Sequence, residues 1–266
     1  HVSVYRLLGL KGTPLERDAQ RLGLQFSVKP PYELIESSEF SAEALGSIDE
    51  LIFAHLILFN LGVGRYALRY LVERFGFRPS ELYEKFSPLM LAEGVYARDE
   101  ARHLGRHHAY GNRFDQPMPH GLDLKRVHRA TQYFFEKVAV ERLSDGERSI
   151  VLALVDFGYS LAVLDAVKRP SAPLSQSNSH LKLAPWCRRH SFPALVIAEL
   201  ARQGHSLGEL GVDEVPEVIF FVHPDLGPAA LAIDGGTAAF LDSVEAGRCD
   251  AEIAGAETLR EFGILA

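Results

Sequence analysis

Cysteine is scarce in this chain: two of the 266 residues, Cys187 and Cys249, carry a thiol. Two isolated cysteines exclude a disulfide framework and a cysteine-based zinc site, and they favour a reducing compartment. Long apolar runs are also lacking, because no stretch reaches the roughly 18 residues that a membrane-spanning helix needs. The first residues do not have the pattern of a secretory signal peptide. The sequence therefore predicts a cytoplasmic protein with no membrane partner.

Positive charge is in short supply as well. The 28 lysines and arginines stand against 35 aspartates and glutamates, which gives a formal net charge of −7. Nucleic-acid-binding proteins usually have a basic face, so this balance argues against a nucleic-acid partner. The sequence contains no glycine-rich phosphate loop, nucleophile elbow or Ser/His/Asp arrangement. The apolar fraction of 47% and the charged fraction of 24% are typical of a globular protein with a substantial core.

The chain opens on a strand pattern followed by a strong helix start. Val2–Leu8 is a short, β-rich apolar run, typical of a strand that is buried on both faces. Thr13, Pro14 and Glu16 then provide a capping hydroxyl, a first-turn proline and a carboxylate that can reach back. The helix is expected to end at Gly23. No partner for Val2–Leu8 lies nearby in the sequence, so we expect it to pair with strands outside this sequence or to form an unpaired edge.

These pieces occur in a characteristic order: a strand, G-T-P-L, a short helix ending in R-L-G-L, then P-P-Y-E-L-I-E-S and F-S-A-E. From Val2 to about Phe59, this order resembles the end of the partial barrel of radical SAM enzymes that also carry a cobalamin-binding domain. In that family the last barrel strand runs into G-T-P-L, and a P-P-Y-E segment leads to a helical C-terminal region. The resemblance implies that residues 1–40 complete a barrel and connector, and that the remainder of the enzyme precedes His1.

The resemblance also implies cofactors and an activity. Members of the family bind S-adenosyl-L-methionine at a [4Fe–4S] cluster and relay a methyl group through cobalamin, most often to an unactivated carbon. This chain lacks the family's C-x-x-x-C-x-x-C triplet and a cobalamin domain, so the ligands of both groups are expected outside it. Tyr5, Arg6 and Leu8 are the candidate cofactor-facing residues of the strand. Alternation leaves two sets open, one with Val4, Arg6 and Leu8 and one with Tyr5 and Leu7.

Residues 41–169 have the pattern of an antiparallel helical bundle that would cap the substrate. Ser47–Glu50 has the form of a second capping box and predicts a long helix that ends near Gly76. Pro79 predicts the start of further helices, which continue with a break to about Tyr110. After a polar loop rich in glycine and proline, two more helices are expected at 124–143 and 147–167.

A linker rich in proline and serine is predicted at 170–180, and an α+β tail at 181–266. Strands are expected at 180–185, 218–222 and 229–233, and helices at 194–203, 236–246, 250–254 and 257–262. From about residue 218, the hairpin and the segments T-A-A-F-L-D-S-V-E-A-G, D-A-E-I-A and L-R-E-F-G-I-L resemble the winged-helix fold of peptide-recognition elements in enzymes that modify ribosomal peptides. This second resemblance implies that an edge of the hairpin binds a peptide as an added strand.

One group of side chains has the spacing of a metal site. Glu93, Glu100, His103 and His107 are separated by seven, three and four residues, which places them on one face of a helix. Glu100-x-x-His103 is half of the motif that binds two irons in carboxylate-bridged helical bundles. The later helices provide no second half, and neighbouring arginines can neutralise the two glutamates. We therefore predict that Glu100, His103 and His107 hold no metal, with a di-metal helical oxidase as the alternative function.

A second group lies just after the linker. Trp186, Arg188 and Arg189 are candidate substrate-binding residues, because an indole beside two guanidinium groups suits a planar or carboxylate-bearing substrate. A contact between domains is the favoured explanation of the same cluster. The basic neighbours of Cys187 would lower its pKa, but no paired base is identifiable. No catalytic residue is assigned.

Together, these patterns predict an α+β, mainly helical chain: the last strand and helix of a radical SAM partial barrel, a helical capping domain and a winged-helix-like tail. The implied function is the C-terminal capping part of a cobalamin-dependent methyltransferase of antibiotic or other natural-product biosynthesis, acting on a small molecule or a peptide. Among enzymes that combine a cobalamin-dependent radical SAM barrel with a peptide-recognition tail, those that methylate C2 of tryptophan during thiopeptide assembly resemble this chain most. A non-catalytic peptide-binding module is the remaining alternative.

Overall fold

The computed structural model describes residues 6–111, 123–139, 142–165, 184, 187–204, 217–223, 227–233, 235–246, 259, 262 and 264–265; for residues 105–111, 139, 165, 222–223 and 227–228, it describes the backbone only. This part of the chain is mainly helical and contains two small antiparallel sheets, which confirms the predicted α+β, mainly helical class. The predicted linker at 170–180 and the predicted helix at 250–254 lie outside the described residues.

Two short strands follow the first helix, a series of helices comes next, and a three-stranded sheet with a last helix follows. The helices are α1 (Pro14–Asp18), α2 (Ala42–His55), α3 (Arg65–Phe75), α4 (Pro79–Ala92), α5 (Arg98–Gly111), α6 (Leu124–Ala139), α7 (Asp145–Asp165), α8 (Ala194–Arg202) and α9 (Gly235–Glu245). The strands are β1 (Gln25–Phe26), β2 (Leu34–Glu36), β3 (Arg188–Ser191), β4 (Glu217–His223) and β5 (Gly227–Ile233). A π-helical turn, Leu56–Asn60, directly continues α2 and is called the π-turn below.

Helix α1 starts as its sequence predicts. The Thr13 hydroxyl oxygen accepts a hydrogen bond from the Glu16 N–H, and the Glu16 carboxylate accepts one from the Gly12 N–H. Pro14 occupies the first turn, where the missing N–H leaves no hydrogen bond unmade. The α-helix ends at Asp18, earlier than predicted, and Gly23 closes a following turn with a φ of 65°.

The end of the first apolar run has a partner within the chain. Leu8 pairs with Glu33 in an antiparallel bridge, flanked by hydrogen bonds from the Gly9 N–H to the Tyr32 carbonyl and from the Leu34 N–H to the Leu7 carbonyl. Residues 7–9 therefore form an edge strand beside β2, and the expectation that this run has no partner in the chain is wrong for them. The turn that joins β1 to β2 is closed by a hydrogen bond from the Tyr32 N–H to the Lys29 carbonyl. Residues 2–5 lie outside the described residues.

Helix α2 begins earlier than the predicted capping box. Ser41 is the N-cap, and its hydroxyl oxygen accepts a hydrogen bond from the Ala44 N–H. Ser47–Glu50 lies inside the helix, so the capping box predicted there is wrong. The physical reason is that both members of the box have other partners: the Ser47 hydroxyl donates to the Glu43 carbonyl inside α2, and Glu50 accepts a hydrogen bond from Arg102.

The predicted long helix is bent near its middle. After the π-turn, the chain passes Gly62, whose φ of 83° strongly favours glycine, and α3 leaves at 94° to the first segment. Helix α3 ends at Gly76 in the left-handed conformation, as predicted. Among the described residues, no single helix is long and apolar enough to cross a membrane, although the two arms of this bend meet the length and composition criteria together.

The β3–β4–β5 sheet is buried on both faces. Val218 and Phe220 of β4 pack into the core formed by the helices, whereas Ile219 and Phe221 pack into a second core with α9. The strands predicted at 218–222 and 229–233 and the helices predicted at 194–203 and 236–246 are confirmed with small shifts. Strand β3 is not predicted by the sequence, because R-R-H-S has no apolar alternation. Within the described residues, the tail is thus joined to the helices by a shared core.

Gly158→Ala tests a close contact between α7 and the bend. A methyl group at position 158 would lie 2.5 Å from the carbonyl oxygens of Gly62 and Val63. We expect the substitution to lower the free energy of unfolding by about 1–3 kcal/mol, the usual cost of overpacking. Gly146→Ala in the same helix is the control, because nothing lies within 4 Å of a methyl group there. Urea unfolding compares the two variants, and equal stabilities would contradict the close contact.

Candidate functional site

The best-defined polar contact of the N-terminal segment is a buried ion pair. Arg6 Nε lies 3.0 Å from Asp49 Oδ1, and Arg6 Nη2 lies 2.6 Å from Asp49 Oδ2. Arg6 Nη1 also donates to the Leu34 carbonyl at 2.7 Å. The side chains of Arg6 and Asp49 are 9% and 0% exposed. One guanidinium group thus joins the start of the chain to β2 and to the middle of α2.

This pair bears on the predicted cofactor-facing residues. The Arg6 side chain is directed toward α2, whereas Leu7, on the opposite side of the extended backbone, is 45% exposed. By the same alternation, Leu8 lies on the side of Arg6. Tyr5 lies outside the described residues. That Tyr5, Arg6 and Leu8 contact a cofactor stays a prediction, and the set that contains Leu7 is the one directed away from the chain's own helices.

A cavity of about 270 Å³ lies beside the ion pair. Its lining residues are Arg6, Ser27, Glu33, Leu34, Ile35 and Ala42. Arg6 donates hydrogen bonds to the Asp49 carboxylate and to the Leu34 carbonyl. The cation beside this cavity is therefore engaged in an internal contact, and the cavity is a by-product of the packing between β2 and α2.

Exposed apolar side chains are concentrated in the first forty residues. Six of the eight large apolar side chains that are exposed among the described residues lie there, and they are called the N-terminal apolar set: Leu7, Leu10, Leu22, Val28, Ile35 and Phe40. The other two are Leu51 and Leu195. Scattered exposed apolar residues need no explanation, but a concentration in one short segment is typical of a surface that contacts another unit.

The edge strand also has backbone groups directed outward. Leu8 and Glu33 are a non-hydrogen-bonded pair, because the flanking Leu7 carbonyl and Gly9 N–H bond to residues 32–34. In an antiparallel ladder, the peptide groups of such a residue point away from its partner strand. The N–H and carbonyl of Leu8 therefore point toward the open side of the edge, in the geometry that accepts a further strand.

The predicted Glu/His group is divided by the fold. Glu93 lies after the end of α4, whereas Glu100 and His103 belong to α5, so the four residues do not share one helix face as predicted. The break follows from Gly94, which has a φ of 65°. The side chain of His107 lies outside the described residues.

Glu100 is engaged by an arginine from another helix. Arg126 of α6 forms a bidentate pair with it, with Nη1–Oε1 and Nη2–Oε2 distances of 2.7 and 3.0 Å. Arg98 and Arg102, expected to neutralise the glutamates of their own helix, contact Glu50 of α2 instead. Among the described residues, no group of three or more His, Cys, Asp or Glu side chains could hold a metal ion. That Glu100, His103 and His107 hold no metal stays a prediction.

The second predicted group is described in part. Trp186 lies outside the described residues, and Arg188 donates to the Cys187 carbonyl at 2.7 Å. Arg189 contacts the carboxylates of Glu217, Asp242 and Glu245. Arg189 therefore ties β3 to β4 and α9. This arrangement is that of an internal contact, and substrate binding by Trp186, Arg188 and Arg189 stays a prediction.

The Cys187 thiol is unsuited to act as a nucleophile. It is 6% exposed and donates to the Ile264 carbonyl at 3.5 Å. Burial raises the pKa of Cys187 to about 12, and the opposing effect of Arg188 is smaller. The lowering of this pKa expected from the basic neighbours is therefore wrong, because the loss of water around the thiolate outweighs a nearby positive charge.

Sequence reasoning missed a further cluster at the bend. Arg65, Phe59, His55 and Tyr83 form a row of stacked or edge-on planar groups, called the aromatic row below, with neighbouring centres 5.2, 5.3 and 5.3 Å apart. His55 Nδ1 and the Tyr83 hydroxyl are 3.2 Å apart. The segment F-N-L-G-V-G-R at 59–65 could have indicated this bend, because two glycines inside a helical pattern mark an interruption of the helix.

Comparisons with known proteins complete the description of the site. Neither protein-family models, nor curated proteins, nor solved structures gave a match to this chain. The inferences below therefore rest on the residues and on their geometry.

Asp49→Asn tests the energetic role of the buried ion pair. The substitution leaves the Arg6 guanidinium buried without its counter-charge, so we expect the free energy of unfolding to fall by about 3–5 kcal/mol. Asp18→Asn is the control, because Asp18 and Arg21 are exposed and 3.4 Å apart, and such pairs contribute about 0–1 kcal/mol. Denaturant unfolding measures both, and an Asp49→Asn loss as small as that of the control would show that the pair does not hold the segment.

Cys187 should resist alkylation in the folded chain. A thiol with a pKa of about 12 is almost fully protonated at pH 8, and the thiolate is the reactive form. In a Cys249→Ser background, we expect iodoacetamide to label the native chain far more slowly than the urea-unfolded chain. Intact mass spectrometry follows the adduct, and equal rates in the two states would show that the thiol is accessible.

Proposed function

We propose that this chain is the C-terminal, substrate-capping part of a cobalamin-dependent radical SAM methyltransferase that acts on an unactivated carbon in natural-product biosynthesis, with C2 of tryptophan as the leading candidate. The observation that carries the proposal is the N-terminal apolar set, which lies in the same forty residues as the family-like motifs. Exposed leucine, isoleucine and phenylalanine side chains gain free energy when another unit covers them. In the proposal, that unit is the remainder of the barrel.

The edge strand provides a second line of support. Its outward peptide groups at Leu8 can accept hydrogen bonds from, and donate them to, a neighbouring barrel strand. Leu7, 45% exposed, lies on the side directed away from α2. Under this proposal, Leu7 faces the remainder of the enzyme, whereas Arg6 anchors the strand to the helical region.

The implied cofactors need ligands from outside this chain. A [4Fe–4S] cluster is held by cysteine thiolates, and Cys187, with its pKa raised by burial, is hydrogen-bonded inside the tail. The residues of this chain therefore do not fit the cluster, and no reaction step is assigned to them through it. Their proposed role is to cover the substrate and to exclude water with the helices that follow the edge strand. A cytoplasmic location is part of the proposal, because a reducing compartment suits such a cluster.

A peptide-binding role of the tail is the second candidate. Either strand of the hairpin, 218–222 or 229–233, could in principle be the edge that a peptide joins. β4 is the central strand of the sheet, bonded to β3 and to β5, which leaves β5 as the open edge of the hairpin in the described part. β5 is seven residues long, enough for an extended peptide to add as a strand. The di-metal oxidase is not favoured, because Arg126 engages both carboxylate oxygens of Glu100.

The natural protein provides the direct test of the proposed function. We expect protein isolated without oxygen from its source, with an antibody raised against this chain, to have a mass above 29.5 kDa and the absorbance of cobalamin and of an iron–sulfur cluster. A natural protein of about the mass of this chain, with no chromophore, would refute the proposal.

Leu7→Asp tests whether the N-terminal apolar set is covered in the whole enzyme. A carboxylate at an exposed position should leave the stability of the isolated chain nearly unchanged. In an enzyme that buries this position, the same carboxylate should lower the free energy of unfolding by about 2–7 kcal/mol. Leu195→Asp is the matched control, because Leu195 is 68% exposed and lies outside the set. Thermal unfolding of both variants in both contexts decides the matter. Equal effects of Leu7→Asp in the chain and in the enzyme would contradict a covered surface.

A further inference from the structure

Arg65 differs from the other half-buried arginines of the described part of the chain. Seven arginines there are half-buried, and six of them form ion pairs. The paired ones are Arg6, Arg69, Arg102, Arg126, Arg148 and Arg189, which contact Asp49, Glu73, Glu50, Glu100, Asp145 and Glu217, respectively. Arg65 has no carboxylate partner among the described residues. A half-buried guanidinium group without a counter-charge favours an anion at that place.

The Arg65 side chain is nevertheless held in a fixed orientation. Its Nε donates to the Phe59 carbonyl at 3.1 Å and its Nη2 donates to the Asn60 carbonyl at 3.3 Å. These two carbonyls belong to the last residues of the π-turn, so the guanidinium caps the negative end of that helix. The contacts use the side of the guanidinium group formed by Nε and Nη2. The opposite end, formed by Nη1 and Nη2, retains N–H groups in the arrangement that binds a carboxylate with two parallel hydrogen bonds.

A planar surface lies directly beside this cation. The Arg65 guanidinium lies over the Phe59 ring, the Phe59 and His55 rings are stacked with an interplanar angle of 21°, and Tyr83 meets His55 edge-on. All four side chains are half-buried, so part of each is accessible. Burial raises the pKa of Tyr83, which keeps its hydroxyl neutral near neutral pH. The aromatic row therefore offers accessible aromatic edges next to one positive charge.

The backbone at this place is specialised. The π-turn is a rare element that is often found at functional sites, and here it precedes a 94° bend. Because the helix axis turns at the bend, Phe59 in the first arm and Arg65 in the second come together although six positions separate them. A straight helix would place them on different faces, since six positions correspond to a rotation of about 240°.

We propose that Arg65 and the aromatic row bind the carboxylate and the planar group of an aromatic amino acid, with Arg65 as the carboxylate-binding residue and the accessible edges of Phe59, His55 and Tyr83 as the aromatic surface. The choice of tryptophan as the probe rests on the proposed function, which it deepens by placing the substrate at the bend. The binding step involves no covalent chemistry and needs no cofactor. It is therefore measurable on the 266-residue chain alone.

Isothermal titration calorimetry with L-tryptophan tests the proposal. Tryptamine, which has the same ring and amine without the carboxylate, is the matched ligand. We expect the affinity for L-tryptophan to be at least about tenfold higher than that for tryptamine, because hydrogen bonds to a charged group contribute a binding free energy of this size. Arg65→Gln should remove the difference between the two ligands. Arg69→Gln, in the next turn of α3, removes an equal charge at an arginine that is already paired and should preserve the difference.

The Arg65 side chain also caps the π-turn, so Arg65→Gln could lose binding through a loss of structure. A second variant controls for this effect. Phe59→Leu keeps the two backbone carbonyls that hold Arg65 and should weaken the binding of both ligands by a similar factor, because it removes part of the aromatic surface. Circular dichroism confirms that each variant is folded. Absence of L-tryptophan binding at millimolar concentration, equal affinities for the two ligands, or an unchanged difference in Arg65→Gln would each overturn the proposal. The mass and absorbance of the natural enzyme do not depend on this result, so the two proposals fail separately.

Discussion

The buried ion pair between Arg6 and Asp49 is the contact on which the position of the N-terminal segment depends. Two charges removed from water are stable only when good geometry compensates the loss of hydration. Here both carboxylate oxygens are engaged, and a further N–H of Arg6 reaches the Leu34 carbonyl. Because α2 also packs against α4, α5 and the π-turn, the pair fixes the edge strand relative to the main helical core. Because the ion pair holds this segment against α2, another unit could contact its exposed surface without separating it from the helices.

A partly buried network of charged side chains also attaches the tail to the helices. Glu199 of α8 has a side chain that is only 4% exposed, and Arg202 lies between it and Glu73 of α3. Burial alone would raise the pKa of Glu199, but hydrogen bonds from Arg202 and Gln203 lower it, so the carboxylate stays charged. Together with the apolar contacts of Val218 and Phe220, this network makes the tail part of the helical core. A recognition element built on β5 would therefore act in a fixed position relative to the helices.

The sequence predicted local features well and long-range ones poorly. The capping of α1 by Thr13 and the left-handed end of α3 at Gly76 depend on a few adjacent residues, so their patterns were sufficient. The pairing of residues 7–9 with 32–34 joins segments that are separated by α1 and β1, so no local pattern predicts it. Asp49 shows the same limit: no neighbour in the sequence explains its burial, which depends on the distant Arg6. For the candidate site, the sequence marked exposed Glu and His residues, whereas the aromatic row requires a bend whose angle no local pattern gives.

The two inferences are linked by the geometry of α2. Asp49 holds the edge strand, and His55 at the end of α2 begins the aromatic row. Six residues of α-helix rise by about 9 Å, which is close to the length of an aromatic amino acid. The residue that anchors the edge strand and the first member of the aromatic row are therefore about that far apart along one helix. The predicted group around Arg189 does not share this position, because its guanidinium already contacts three carboxylates of the tail. Among the half-buried arginines of the described residues, the one without a carboxylate partner is therefore Arg65, which follows the helix that anchors the edge strand.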